Sequence, residues 1–285
     1  MHEARALGPH SAAQAARVGA AGALAQAALA RSGGRTRPVP GFEATGFRLA
    51  ADEIIWVGRA APLHPRVALV DVGAAGAGHE RLDVDTAYIH LPRALPRLGA
   101  ARADAAKFVS TAVRRLIAAC EPEGFATLLA GRRPAFPLSH RADAALALAA
   151  ASAANDAGSF AAAAAHLLGA GSGLTPSGDD YVGAALFAWR LTGMDERWLG
   201  AAGEIVALAA ARTHAISAAL LGDLAAGSSY TALHDLAETV AANGADAQSI
   251  DAQLQALAGI GQSSGWDMLA GFVAGVAGTL NLRGN

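Results

Sequence analysis

Residues Gly169 to Asp180 read Gly-Ala-Gly-Ser-Gly-Leu-Thr-Pro-Ser-Gly-Asp-Asp. Alternate glycines permit positive φ angles and a close approach of the backbone to a ligand. Free N–H groups beside a helix N-terminus form a cradle for anions. The hydroxyls of Ser172, Thr175 and Ser177 add donors, and Asp179 and Asp180 add two adjacent carboxylates. The pattern predicts a loop that binds a small anion through Gly171, Ser172, Gly173, Thr175, Ser177, Gly178 and Asp179. Ser177-x-x-Asp180 also fits a capping box, in which both side chains serve free N–H groups of their own helix. A cap leaves the second carboxylate, the alternating glycines and Thr175 without a role. The loop is not a Walker motif, because no Gly-Lys-Ser/Thr follows. It is not a dinucleotide fingerprint either, because the preceding segment reads as helix, not strand.

A second stretch repeats the device. Gly261-Gln-Ser-Ser-Gly-Trp-Asp267 places Ser264-Gly265-Trp266-Asp267 in register with Ser177-Gly178-Asp179-Asp180, again ahead of an apolar run. A capping box is again the plainer alternative. If both helix starts face one volume, two positive dipole ends converge there. Ser263, Ser264 and Gly265 would then join the binding set, and Asp179, Asp180 and Asp267 could hold a cation or a polar amide. Between the two stretches lies Arg212-Thr-His-Ala-Ile-Ser217. Thr213 and Ser217 are four apart, which predicts a shared helix face. They either line the same pocket or bond back to their own helix. Arg212 is either a two-pronged partner for a carboxylate or phosphate, or a solvated surface side chain.

The remaining candidates are weaker. His214 adjoins the hydroxyl face and is a minor candidate for a base. His64, His79 and His90 show no spacing that makes a metal site. No Gly-x-Ser-x-Gly elbow is present, which argues against a serine hydrolase. Cys120, the single cysteine, reads as an inert, partly buried thiol in a helical stretch. The expectation is a site with no metal and no cofactor.

The elements that must position these residues follow from composition and periodicity. The 285 residues are 53% apolar and 16% charged, enough apolar surface for a core and too much for disorder. A net charge of −2 argues against nucleic-acid binding. The absence of cysteine pairs suits a reducing cytoplasm, and residues 1–30 lack the apolar run of a signal peptide. The run Met268–Leu280 is too short and too rich in glycine for a membrane span. Residues 1–35 read as Ala-rich and weakly helical. Short β-prone runs follow at 45–49, 53–57, 67–72 and 87–91, punctuated by glycine and proline. Helical periodicity begins near 105 and continues, after a break at 131–139, through 141–154, 158–168, 179–192, 199–222, 230–242, 248–259 and 266–280. The fold class is therefore α+β, with a β-rich N-terminal domain over 1–100 and a mainly α-helical C-terminal domain over 101–285.

In order and in spacing, Gly173-Leu-Thr-Pro-Ser-Gly-Asp-Asp180, Thr213-His-Ala-Ile-Ser217 and Gly261-Gln-Ser-Ser-Gly-Trp-Asp267 resemble the motifs of the AllH family. The likeness is firm over about 165–280 and loose over the N-terminal half. It implies a subunit of an oxamate carbamoyltransferase, which converts oxalurate and phosphate to oxamate and carbamoyl phosphate in a complex with two other kinds of subunit. The implied ligand is a small anion, phosphate or a carbamoyl compound, and phosphate itself would be the nucleophile. On this reading Asp180, Asp267 and Thr213 are the catalytic candidates, and Gly171, Ser172, Gly173, Thr175, Ser177, Gly178, Asp179, Arg212, Ser217, Ser263, Ser264 and Gly265 bind substrate. Preorganised N–H donors from 169–178 and 261–265 would stabilise the oxyanion of acyl transfer. Two alternatives stand beside it: a non-catalytic subunit that uses the same loops to dock a partner, and a stand-alone enzyme on another small anionic amide or acyl phosphate.

Overall fold

A computed structural model describes residues 15–71, 80–85, 87–91, 94–98, 102–242 and 247–282. The chain divides into two compact units, Met1–Leu91 and Pro92–Asn285. The first is β-rich and the second mainly helical, so the architecture is α+β.

Among its described residues, the first unit is a mixed sheet of seven strands with one helix. Its strands are β1 (Ala16–Gly22), β2 (Arg37–Pro38), β3 (Phe47–Ala50), β4 (Glu53–Gly58), β5 (Val67–Val70), β6 (Leu82–Asp83) and β7 (Tyr88–His90), with α1 (Ala23–Arg31) after β1. The order is β2-β3-β4-β5-β1-β6, with β7 also paired to β1. Strand β1 corrects the expectation of a weakly helical start. Alanine favours helix locally, but Ala16–Gly22 pairs antiparallel with β5 on one edge and parallel with β6 and β7 on the other. Pairing on both edges outweighs local propensity. Gly22 is needed there, because a Cβ would lie 2.2 Å from the His64 carbonyl oxygen. His64 is buried, and its Nδ1 accepts from the Arg66 N–H. His79 lies outside the described residues.

The second unit contains α2 (Arg102–Ala119), α3 (Ala142–Ala153), α4 (Ala157–Leu167), α5 (Ser177–Thr192), α6 (Glu196–Arg212), α7 (Ala215–Ala226), α8 (Thr231–Ala241), α9 (Ala247–Ala258) and α10 (Ser264–Ala277). Two 3-10 turns, Gly124–Leu129 and Leu138–Arg141, fill the segment between α2 and α3. Cys120 is exposed just beyond α2, not partly buried.

Helices α5 and α10 form the centre of this unit and are buried on nearly every side. A helix apolar all round belongs in a core. The glycines of α10 allow the contact between the two: a Cβ on Gly271 would lie 2.0 Å from the Tyr181 carbonyl oxygen. That explains the glycine in the apolar run 268–280. Helices α4, α7 and α8 pack against α5, while α2, α3 and α9 pack against α10.

The single helix expected over 199–222 is broken. Thr213 (φ −128°, ψ 176°) ends α6 and His214 (φ −84°, ψ 163°) starts α7, both in extended conformation. His214 caps α7 by accepting the Ser217 N–H at Nδ1, 3.4 Å away. A local side chain to backbone bond thus competes with helix continuation. Thr213 and Ser217 consequently do not share a helix face, which corrects the reading from their spacing. No helix among the described residues is long and apolar enough to cross a membrane.

Candidate functional site

The two Ser-Gly-x-Asp turns meet. Both open helices of the central pair, so the packing of α5 on α10 brings their N-termini side by side. The Thr175 and Ser264 hydroxyls lie 2.8 Å apart, and those of Ser177 and Ser263 3.5 Å apart. In front of them is a cavity of about 340 Å³, lined by Gly171–Thr175, Ser177, Gly261–Ser264, Gly124 and Pro134–Leu138.

The turns are built alike. The Gly178 N–H donates to the Ala170 carbonyl at 2.8 Å, and the Gly265 N–H to the Ile260 carbonyl at 2.9 Å. Neither turn is a capping box. The N-cap positions are Pro176 and Ser263, and neither side chain makes a capping hydrogen bond. Ser177 and Ser264 are the first helical residues, with hydroxyls directed to the opposite turn. The N–H groups of Gly171, Ser172, Gly173, Thr175, Ser177, Gly261, Gln262, Ser263 and Ser264 find no acceptor among the described residues. Two helix N-termini and a row of free donors thus surround one cavity.

The aspartates stand behind this lining. Asp179 is fully engaged: Oδ1 accepts the Gly169 N–H at 2.8 Å, and Oδ2 accepts the Ser217 hydroxyl at 2.6 Å. Asp267 accepts the Phe125 N–H at 2.7 Å through Oδ1, while its Oδ2 is buried with no partner. Asp180 Oδ2 is also buried and unpartnered. Burial pushes the Asp180 carboxyl well up, the Asp267 charge adds to this, and the Ser264 and Thr175 hydroxyls oppose it. Burial raises Asp267 from 3.8 to about 7, against the Phe125 N–H and the Ser177 and Ser263 hydroxyls, which lower it. Buried polar atoms almost always have a partner, so these orphans require an explanation. Among the described residues, no group of three or more His, Cys, Asp or Glu is placed to hold a metal ion.

The Thr213–Ser217 segment lies behind the glycine loop and does not line the cavity. Ser217 reaches Asp179, and His214 Nε2 lies 3.3 Å from the Gly173 carbonyl oxygen. The Thr213 hydroxyl is buried and unpartnered. Arg212 is exposed and outside the lining. Ser217→Ala leaves a buried Asp179 oxygen without its donor. It is expected to cost about 1–3 kcal/mol in chemical denaturation of the helical unit, and Ser217→Thr to recover part of that loss.

Three contributors escaped the sequence reading: the wall 134–138, Gly124 and the Phe125 N–H. The prolines at 134 and 137 marked a break, but nothing in their chemistry pointed to a site.

Residues 167–276 match the family model described as oxamate carbamoyltransferase subunit AllH. The chain resembles the AllH family. The match spans less than half of the chain and runs from the end of α4 to the end of α10. It includes both Ser-Gly-x-Asp turns and the α6–α7 junction. No curated protein and no solved structure matches the chain.

Proposed function

We propose that this AllH-like chain is a subunit of a carbamoyltransferase complex and that the cavity between the α5 and α10 N-termini binds its small anionic ligand. The observation that carries the reading is the 2.8 Å contact of Thr175 with Ser264, which closes two donor-rich helix starts around one cavity. The free N–H groups of 171–177 and 261–264 would take the oxygens of phosphate or of a carbamoyl compound. The same donors would stabilise an oxyanion as the acyl carbon is attacked. Phosphate would supply the nucleophile in the phosphorolytic direction, so the chain itself needs none. Asp179 sets the position of Gly169 and Asp267 that of Phe125, and both act by fixing the walls.

Calorimetry of the purified chain with phosphate, carbamoyl phosphate and oxamate tests this. Binding of at least one of them is expected, weakened tenfold or more by Thr175→Val combined with Ser264→Ala. Absence of binding by the chain, alone and in the assembled complex, would sink the reading.

One observation favours a docking role instead. Phe136, on the wall segment 134–138, is 79% exposed, and a large exposed apolar side chain beside a cavity suits a partner surface. Asp180→Asn separates the two. Lower turnover per assembled complex supports a site at the cavity. Impaired assembly with unchanged turnover per complex supports docking.

A further inference from the structure

The cavity has an electrostatic deficit. Among the described residues no lysine, arginine or histidine lines it, and two carboxylates stand immediately behind its hydroxyls. Asp180 and Asp267 are 6% and 0% exposed, and each keeps one Oδ2 with no partner. The hydroxyls are arranged crosswise. Thr175 and Ser264 stand beside Asp180, and Ser177 and Ser263 beside Asp267, so each carboxylate is attended by the first residue of the opposite helix. Once both carboxyls ionise, the half-charges of two helix dipoles do not offset their two negative charges. An anion entering here meets repulsion unless something positive completes the pair.

We infer that the seam between Asp180 and Asp267 is a binding site for a divalent cation of the magnesium class. The donors are carboxylate and hydroxyl oxygens only, the set that hard cations select. Two carboxylates match one double charge. Magnesium is commonly bound through one or two carboxylates, with its other positions left to water or to a ligand's oxygens. Those positions would open toward the cavity, where the anion sits. The inference goes beyond the carbamoyltransferase reading and stands without it, since the cation needs no anion to be measured.

The charged and titratable groups around the pair include Asp179 on the same helix as Asp180, Tyr230 ahead of α8, and Glu123 ahead of the 3-10 turn that Asp267 holds. None of these is basic.

The test uses the full chain, stripped with a chelator and titrated with Mn2+, with free Mn2+ followed by electron paramagnetic resonance. At pH 8 one Mn2+ per chain is expected, displaced by Mg2+. Asp180→Asn and Asp267→Asn should each weaken binding tenfold or more, while the exposed Asp143→Asn leaves it unchanged. Circular dichroism of the metal-free variants checks folding. Failure of the wild-type chain to bind millimolar Mn2+, or equal binding by the asparagine variants, would overturn the site and leave protons as what neutralises the pair. Phosphate is absent throughout, so neither result bears on the anion cavity.

Discussion

Gly178→Ala and Gly265→Ala will each destabilise the helical unit by about 3 kcal/mol or more, the range of severe overpacking in a core. The added Cβ would sit 1.9 Å from the Leu167 carbonyl oxygen in the first case and 1.8 Å from that of Leu257 in the second. Both obstacles are backbone atoms at the ends of α4 and α9, so no side-chain rotation relieves them. Each N–H of these glycines also closes its turn, onto Ala170 and Ile260. Pushing the helix start away would break that bond and separate Thr175 from Ser264. Gly173→Ala is the control. Gly173 has positive φ (+104°) but open space around its Cβ position, so only backbone strain of about 1–3 kcal/mol is expected. Urea denaturation followed by far-ultraviolet dichroism, which α2 to α10 dominate, reads both. Equal losses at 173, 178 and 265 would show that the glycines act through φ and not through close approach.

That contrast shows what the sequence could and could not disclose. The repeat of Ser-Gly-x-Asp was visible because both turns solve one problem: a helix start pressed against the end of the preceding helix leaves no room for a Cβ. The strands β4, β5 and β7 were legible because their runs are rich in valine, isoleucine and tyrosine between glycine and proline, and β3 because Phe47 and Leu49 alternate after a glycine. Strand β1 was not, because Ala16–Gly22 owes its conformation to partners on both edges, which no local pattern encodes. The α6–α7 break was hidden for the opposite reason. It rests on one local bond, from the Ser217 N–H to His214, inside a long apolar and helix-prone run. A capping box was the plainer alternative at each helix start and neither forms, since Ser177 and Ser264 serve the opposite turn instead of their own. Pairing between segments almost ninety residues apart leaves no mark on the spacing within either.

Stability of the helical unit should fall as pH rises from 4 to 8 in the absence of divalent cations, and Asp267→Asn should remove part of that fall. Asp267 titrates near 3.8 in an ordinary environment and at about 7 in the folded chain. Between those values the folded state holds a proton that the unfolded chain has released, so each pH step upward favours unfolding. The stabilisation is complete below the unfolded value and is lost as pH passes the folded one. The full span corresponds to about 4 kcal/mol, a large share of a domain's total stability. Asp180, also raised, extends the loss in the same direction. Asparagine at 267 retains an oxygen for the Phe125 N–H and never carries the charge. It should therefore be more stable than the wild-type chain at pH 8 and not at pH 4. Exposed carboxylates held low by hydrogen bonds, such as Asp156 and Asp195, work in the opposite sense and are common to both proteins. Comparing urea midpoints of the two chains at both pH values isolates Asp267. Parallel midpoints across the range would mean that the buried carboxylate meets a positive partner in the folded state. Repeating the pair of measurements with Mg2+ then asks whether a cation is that partner, because saturating Mg2+ should restore the wild-type chain at pH 8 and leave Asp267→Asn unmoved.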